Sequence, residues 1–184
     1  MSKTFVLKIG LGLLVAAILS VFYGLRTENV AAQTKKKKAA VNSKSLCQAR
    51  EQTIWTCTTT RNKIASVCAS RSLTEDRGYV QYRFGTPGKI ELEFPKARQD
   101  SPRAFKYSRY TRPRVTMLTL KFANNGVVYE IHDDDNSEEK PAVRAASIDI
   151  KNSEGKDISS VVCKLPVRGS LMNLETIVPR DEEN

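Results

Sequence analysis

The sequence holds one histidine, one tryptophan and four cysteines in 184 residues, and no two cysteines lie close enough to form a CxxC pair. A single imidazole leaves any activated nucleophile dependent on His132, so catalysis has little support and the chain is expected not to be an enzyme. Spacings of 10, 11 and 95 residues between Cys47, Cys57, Cys68 and Cys163 lack the close pairs that grip tetrahedral zinc, so neither a metal nor another cofactor is expected. Aromatics make up only 7%. After Cys47 no stretch of a dozen residues carries a helical period, which argues against a helical bundle.

The length suits one domain with appendages. Residues 1–32 open with Lys3 and Lys8, run apolar from Ile9 to Leu25, turn polar at Arg26 to Asn29 and end on Val30-Ala31-Ala32. That is the order of a secretory signal peptide, with cleavage expected after Ala32. The alternative is an uncleaved N-terminal hydrophobic helix, because the 17 residues from Ile9 to Leu25 reach the lower edge of a membrane span and would give membrane contact through residues 9–25. Lys35 to Lys38 weigh against export, since basic loops tend to stay in the cytoplasm. An even set of four cysteines weighs for it, by implying disulfides and an oxidising compartment. The expected location is periplasmic or extracellular, or tethered to the inner membrane by the uncleaved helix. Residues 33–46 are polar, lysine-rich and free of aromatics, as in a flexible linker.

From Cys47 the pattern is that of short strands and tight turns. Thr53 to Ala69 reads as a hairpin turning near Asn62-Lys63, a register that sets Cys57 opposite Cys68 and leaves Cys47 to pair with Cys163. Tyr79 to Phe84 and Lys89 to Phe94 alternate apolar and polar residues around Gly85-Thr-Pro-Gly88. Val115 to Phe122 and Val127 to His132 flank Asn125-Gly126, a favoured turn pair. Ala146 to Ile150 and Ile158 to Cys163 flank Asn152 to Gly155. The fold class is therefore all-β: a small antiparallel meander barrel or sandwich of about eight strands over residues 47–179. Ser170 to Pro179 fits a short helix or a last strand, and residues 180–184 are expected to fray.

Cys57 to Cys68, Tyr79-Val-Gln-Tyr-Arg-Phe-Gly85 and Ile90-Glu-Leu-Glu-Phe-Pro95 resemble a family of small exported proteobacterial proteins that carries no assigned activity. The likeness covers roughly residues 47–165 and implies a disulfide-bonded, exported β domain. There is a fainter similarity to periplasmic inhibitors of c-type lysozyme, small antiparallel barrels with a disulfide between an early and a late strand. The chain lacks their Gly/Ser-rich loop with a following Tyr, so an inhibitor role is an analogy of fold only.

Charge supplies the remaining signal. From Cys47 onward 22 basic and 19 acidic residues nearly balance, yet residues 96–121 hold Lys96, Arg98, Arg103, Lys106, Arg109, Arg112, Arg114 and Lys121 against Asp100 alone. With Phe105, Tyr107 and Tyr110 interleaved, this segment suits binding to a polyanion through charge and stacking; the structural alternative is a basic strand with its aromatics turned inward. Export makes nucleic acid an improbable target, so an anionic envelope component, such as lipid headgroups or lipopolysaccharide phosphates, or another envelope protein is the expected partner. The acidic run Asp133 to Glu139 reads as a hairpin loop with a solvated tip that lacks the spacing of a calcium loop, with His132 exposed at a strand end beside it. Glu91 and Glu93 share a strand face, as alternating surface charges do. Two functions follow: a non-catalytic exported binding module, an inhibitor of or adaptor for another envelope protein, or an envelope-associated protein holding anionic lipid or lipopolysaccharide through residues 96–121.

Overall fold

The structure is a computed structural model that describes residues 45–182. The expected signal or anchor at 1–32 and most of the linker lie outside the described residues. Ser45 and Leu46, placed in the linker by composition, are buried and belong to the domain.

Nine strands form in chain order: β1 (Glu51–Thr59), β2 (Ile64–Ser70), β3 (Val80–Thr86), β4 (Lys89–Phe94), β5 (Lys106–Arg112), β6 (Val115–Asn124), β7 (Val127–Asn136), β8 (Val143–Lys151) and β9 (Asp157–Gly169). All four expected hairpins are present, and β5 is the strand that makes nine rather than eight. Asn125 and Gly126 both have positive φ (52° and 76°), the requirement of the two-residue turn their sequence signals.

The strands form one antiparallel sheet in the order β4-β3-β2-β1-β9-β8-β7-β6-β5. Each strand pairs with its sequence neighbour, β9 returns to β1, and the interruption falls between β4 and β5. The result is a curled half-barrel rather than the closed barrel or two-sheet sandwich expected. Residues 95–105 explain the seam. Pro95 and Pro102 lack the N–H a ladder needs, and Asp100 sits in the left-handed region (φ 52°) ahead of a short 3-10 turn at Ser101–Ala104.

Side chains bridge the seam where hydrogen bonds do not. Phe94 from β4 stacks on Phe122 from β6 at 4.5 Å between ring centroids, Phe122 stacks on Tyr129 at 4.9 Å, and Phe105 meets Phe94 edge-on at 5.5 Å. Such pairs each add about 0.5–1.5 kcal/mol beyond burial. Phe122→Leu keeps most of the apolar volume and loses both stacks, so it should cost about 1–2 kcal/mol in urea unfolding.

The sheet is buried on both faces near β2, where every residue from Ile64 to Ala69 is buried. Ala65, Val67 and Ala69 face the interior with Trp55, Tyr82 and Leu120, whereas Ser66 and Cys68 lie under Ser45 to Cys47, which crosses the outer face. Gly169 fits tightly beside β1: a Cβ there would fall 2.0 Å from the Ile54 carbonyl oxygen.

The disulfides are Cys47–Cys68 and Cys57–Cys163, with Cα separations of 5.3 and 5.7 Å. This corrects the expected Cys57–Cys68 and Cys47–Cys163 pairing. The β1–β2 turn comes earlier than its composition suggests, with Thr59 N–H donating to Lys63 O at 2.7 Å. Cys57 therefore lies opposite Ala65, and Thr53 opposite Cys68. Cys57 points into the core, where Cys163 of the neighbouring β9 meets it; Cys68 points out to Cys47.

After β9, Ser170 caps a short 3-10 turn at Leu171–Leu174 through its hydroxyl, and Leu171 and Leu174 enter the core. The fraying expected from Arg180 does not begin there. Arg180 bridges to Tyr107 in parallel, Asp181 N–H donates to Tyr107 O at 2.9 Å, and the Asp181 carboxylate pairs with Lys121 at 2.6 Å.

Candidate functional site

The basic segment divides among three environments. Arg98 leaves the others: it lies over the Tyr79 ring at 4.5 Å and donates to Gln81 Oε1 and Glu51 Oε1. Arg103 stands on the 3-10 turn before β5. Lys106, Arg109 and Arg112 come together along β5, and Arg114 follows in the two-residue turn to β6. Pro113 ahead of Arg114, which has positive φ (67°), matches a type II turn.

The aromatics divide too. Phe105 and Tyr107 are fully buried, as in the basic-strand alternative, and Tyr110 alone of the three is exposed. Burial, then the nearby Glu175 carboxylate, pushes the Tyr107 phenol up to about 12, and its hydroxyl has no hydrogen-bond partner among the described residues. A stacking platform of interleaved rings is therefore reduced to one ring.

Much of the positive charge is already matched. Arg109 pairs with Glu175 at 2.8 Å, Arg112 with Glu138, and Lys121 with Asp181; the Arg114 guanidinium donates to Ser137 O. The hydrogen bond from Arg112 holds the Glu138 carboxyl below its ordinary value. Lys96, Arg103 and Lys106 have no side-chain hydrogen-bond or ion-pair partner among the described residues.

β5 is an edge strand, and its two halves differ. Tyr107 turns its backbone away from β6: its N–H donates to Pro179 O at 2.9 Å and its carbonyl accepts from Asp181 N. Antiparallel pairing alternates, so Lys106, Ser108, Tyr110 and Arg112 bond to β6, while Arg109 and Thr111 direct N–H and C=O outward like Tyr107. The C-terminal segment covers Tyr107. Arg109 and Thr111 stand opposite Leu118 and Thr116 of β6, and among the described residues no segment on the other side of β5 bonds to their backbone. Across β6, beside Tyr110 (56% exposed), stands Met117 (46%). The sequence signal for this edge was Pro113 immediately after a cation-rich alternating run, which marks a strand stop and hence a strand.

Only the end of the acidic run, Ser137 to Glu139, lies in the loop between β7 and β8. Asp133 to Asn136 belong to β7, and the carboxylates diverge. Asp133 is buried, accepts from Arg144 at 2.7 and 3.1 Å and from Leu171 N–H at 3.3 Å, while Asp135 accepts from the Ser137 hydroxyl. Burial raises the Asp134 carboxyl. Glu91 pairs with Lys63 and Glu93 with Arg83.

His132, expected to be exposed at a strand end, sits within β7 with its side chain 25% exposed. Its Nδ1 shares a hydrogen bond with Thr119 Oγ1 at 3.1 Å, and its Nε2 lies 3.3 Å from Asp149 Oδ2 and 3.8 Å from Glu130 Oε2. A hydroxyl, an imidazole and a carboxylate thus stand in series on an outer sheet face. Both edges of β6 and β7 are paired, so their backbone N–H groups are committed to ladders and offer no pair of donors for an oxyanion above Thr119.

A second charged cluster escaped sequence reasoning. Arg83 is buried on the outer face of β3 and bonds Glu51 at 2.5 and 2.9 Å, Glu93 at 2.7 Å, Gln81 Oε1 at 2.7 Å and Leu46 O at 3.3 Å. Cys47, Glu51 and Cys68 place ligand atoms within 4.8 Å of one another, but both sulfurs are spent in a disulfide and the carboxylate in this network. Compared with protein-family models, curated proteins and solved structures, the chain gives no match.

Proposed function

We propose that the chain is a non-catalytic exported binding module that recognises another protein of the cell envelope through the surface around β5. The observation that carries this reading is the open outer half of β5, where the backbone of Arg109 and Thr111 and the Tyr110 ring face solvent together. Two further observations support it. The inside of the half-barrel is filled by Trp55, Tyr82, Phe122 and Leu120, so contacts fall on the surface, and two disulfides suit an oxidising compartment. A photo-crosslinking residue at Tyr110 should trap a discrete envelope protein at both low and high salt. Trapping no more than the same probe at Ile158, an exposed site on β9, would overturn the reading.

A second reading, binding of anionic lipid or lipopolysaccharide by residues 96–121, is favoured by the unmatched Lys96, Arg103 and Lys106. It predicts that the domain sediments with anionic vesicles, that salt abolishes this steeply, and that replacing Lys96, Arg103 and Lys106 together by Ser weakens it. Undiminished sedimentation of the triple variant sinks it.

A further inference from the structure

We propose that the open half of β5 accepts an extended acidic segment of the partner protein as an added strand. This rests on the binding-module reading and specifies what is bound.

An exposed sheet edge is a row of unpaired donors and acceptors, and proteins block such edges unless they are used. Here the same edge is blocked at one end only. Pro179 to Asp181 pair with Tyr107 through two bonds of 2.9 Å in an isolated parallel bridge, so this edge accepts backbone partners. Past these bonds, the next two outward residues, Arg109 and Thr111, have no hydrogen bond from a neighbouring segment to their backbone among the described residues. An incoming segment would extend the row the tail begins.

Side chains select the occupant. Lys106, Arg109, Arg112 and Arg114 line β5 and its turn. A second copy presenting its own β5 would set these cations against one another, so they act against self-pairing while attracting carboxylates. Arg109, on the face of β5 opposite Tyr110, already holds Glu175 in a partly solvent-exposed pair; an acidic strand exchanges one carboxylate for another there rather than stripping a buried charge. Tyr110 and Met117, exposed side by side on the outer face, offer apolar contact to alternate residues. The favoured segment therefore alternates acidic and apolar side chains.

The test uses the disulfide-bonded domain and a short acetylated peptide alternating Glu and Val, with two controls: a Lys and Val peptide, and the Glu and Val peptide N-methylated on alternate residues. Amide hydrogen exchange followed by NMR should show Arg109 and Thr111 exchanging freely in the domain alone and slowed by the Glu and Val peptide. N-methylation removes the donors a strand needs and should weaken binding by at least about tenfold. Equal binding of the N-methylated peptide, or Arg109 and Thr111 amides already protected without peptide, overturns the proposal. So does equal binding of the Lys and Val peptide. Thr111→Pro deletes an outward N–H on an edge strand, a position where proline is tolerated. It should leave the circular dichroism spectrum intact and weaken the Glu and Val peptide by about tenfold; a folded variant that binds normally rejects strand addition. Peptide-free dimerisation through this edge in sedimentation rejects the partner segment in favour of a second copy.

The two readings fail separately. Crosslinking of an envelope protein at Tyr110 that persists in Thr111→Pro would keep the binding module and reject the added strand. Peptide binding with no trapped envelope protein would keep the edge chemistry and reject the module's proposed role.

Discussion

Arg83→Ala is expected to destabilise the domain by about 3–5 kcal/mol in urea unfolding near neutral pH, among the largest effects of any single side chain. Arg83 directs its guanidinium donors at Glu51, Glu93, Gln81 and the Leu46 carbonyl, and it is almost wholly buried together with Glu51. Removing it leaves the Glu51 carboxylate buried with Gln48 N–H, Tyr79 and the half-exposed Arg98 as remaining donors. Arg83→Lys should recover little of the loss, because one ammonium cannot reproduce the planar fork.

The acid limb of stability separates this account from simple loss of packing. Burial acts to raise the Glu51 carboxyl, but hydrogen bonds from Arg83, Gln48 N–H and Tyr79, with the Arg83 charge, outweigh it and hold the group below its ordinary 4.5. A carboxyl depressed in the folded state contributes stability that is present above 4.5 and lost as pH falls through the folded value. The native domain should therefore weaken on acidification below 4.5 more steeply than Glu51→Gln does. For Arg83→Ala the penalty should begin to shrink already above 4.5 as pH falls, since without Arg83 burial favours the protonated Glu51 and protonation removes the orphaned charge. A pH-independent penalty in urea titrations would reject the ion-pair account.

Local pattern made the hairpins legible. Asn125-Gly126, Pro87-Gly88 and Asn152 to Gly155 each fix a turn through residues that tolerate it, and alternation on either side follows from having one face buried. What the pattern concealed came from long-range packing. Arg83 lies in Tyr79 to Phe84, whose alternation marks it as a solvent-facing position; it is instead covered by Ser45 to Cys47, residues whose composition resembles a linker. Nothing near Arg83 in sequence signals that covering, because it is imposed by Cys47–Cys68 from 21 residues apart. β5 was legible only as a charged segment with inward aromatics: its cations suit an edge, and edge status depends on where residues 95–105 carry the chain. The cysteine pairing failed on a turn displaced by about a residue and a half, which is enough to change both partner and face since side chains alternate.

Replacing Cys57 and Cys163 together by Ala should lower stability by about 5 kcal/mol, against about 3 kcal/mol for the Cys47 and Cys68 pair, if loop closure dominates. The bonds close loops of 106 and 21 residues, and the longer loop restricts the unfolded chain more. Cys57–Cys163 also ties β1 to β9, the one junction of the sheet formed by strands distant in sequence, so its loss frees the unfolded chain ends of the whole meander. Cys47–Cys68 ties only the segment covering Arg83. The double variants should therefore differ in character as well as size. Loss of Cys57–Cys163 should lower the midpoint of a single cooperative transition. Loss of Cys47–Cys68 should also increase hydrogen exchange first at Leu46, whose N–H rests on Ser66, before the sheet opens. Equal losses from the two pairs would mean that native packing, rather than the unfolded chain, sets the contribution of each bond.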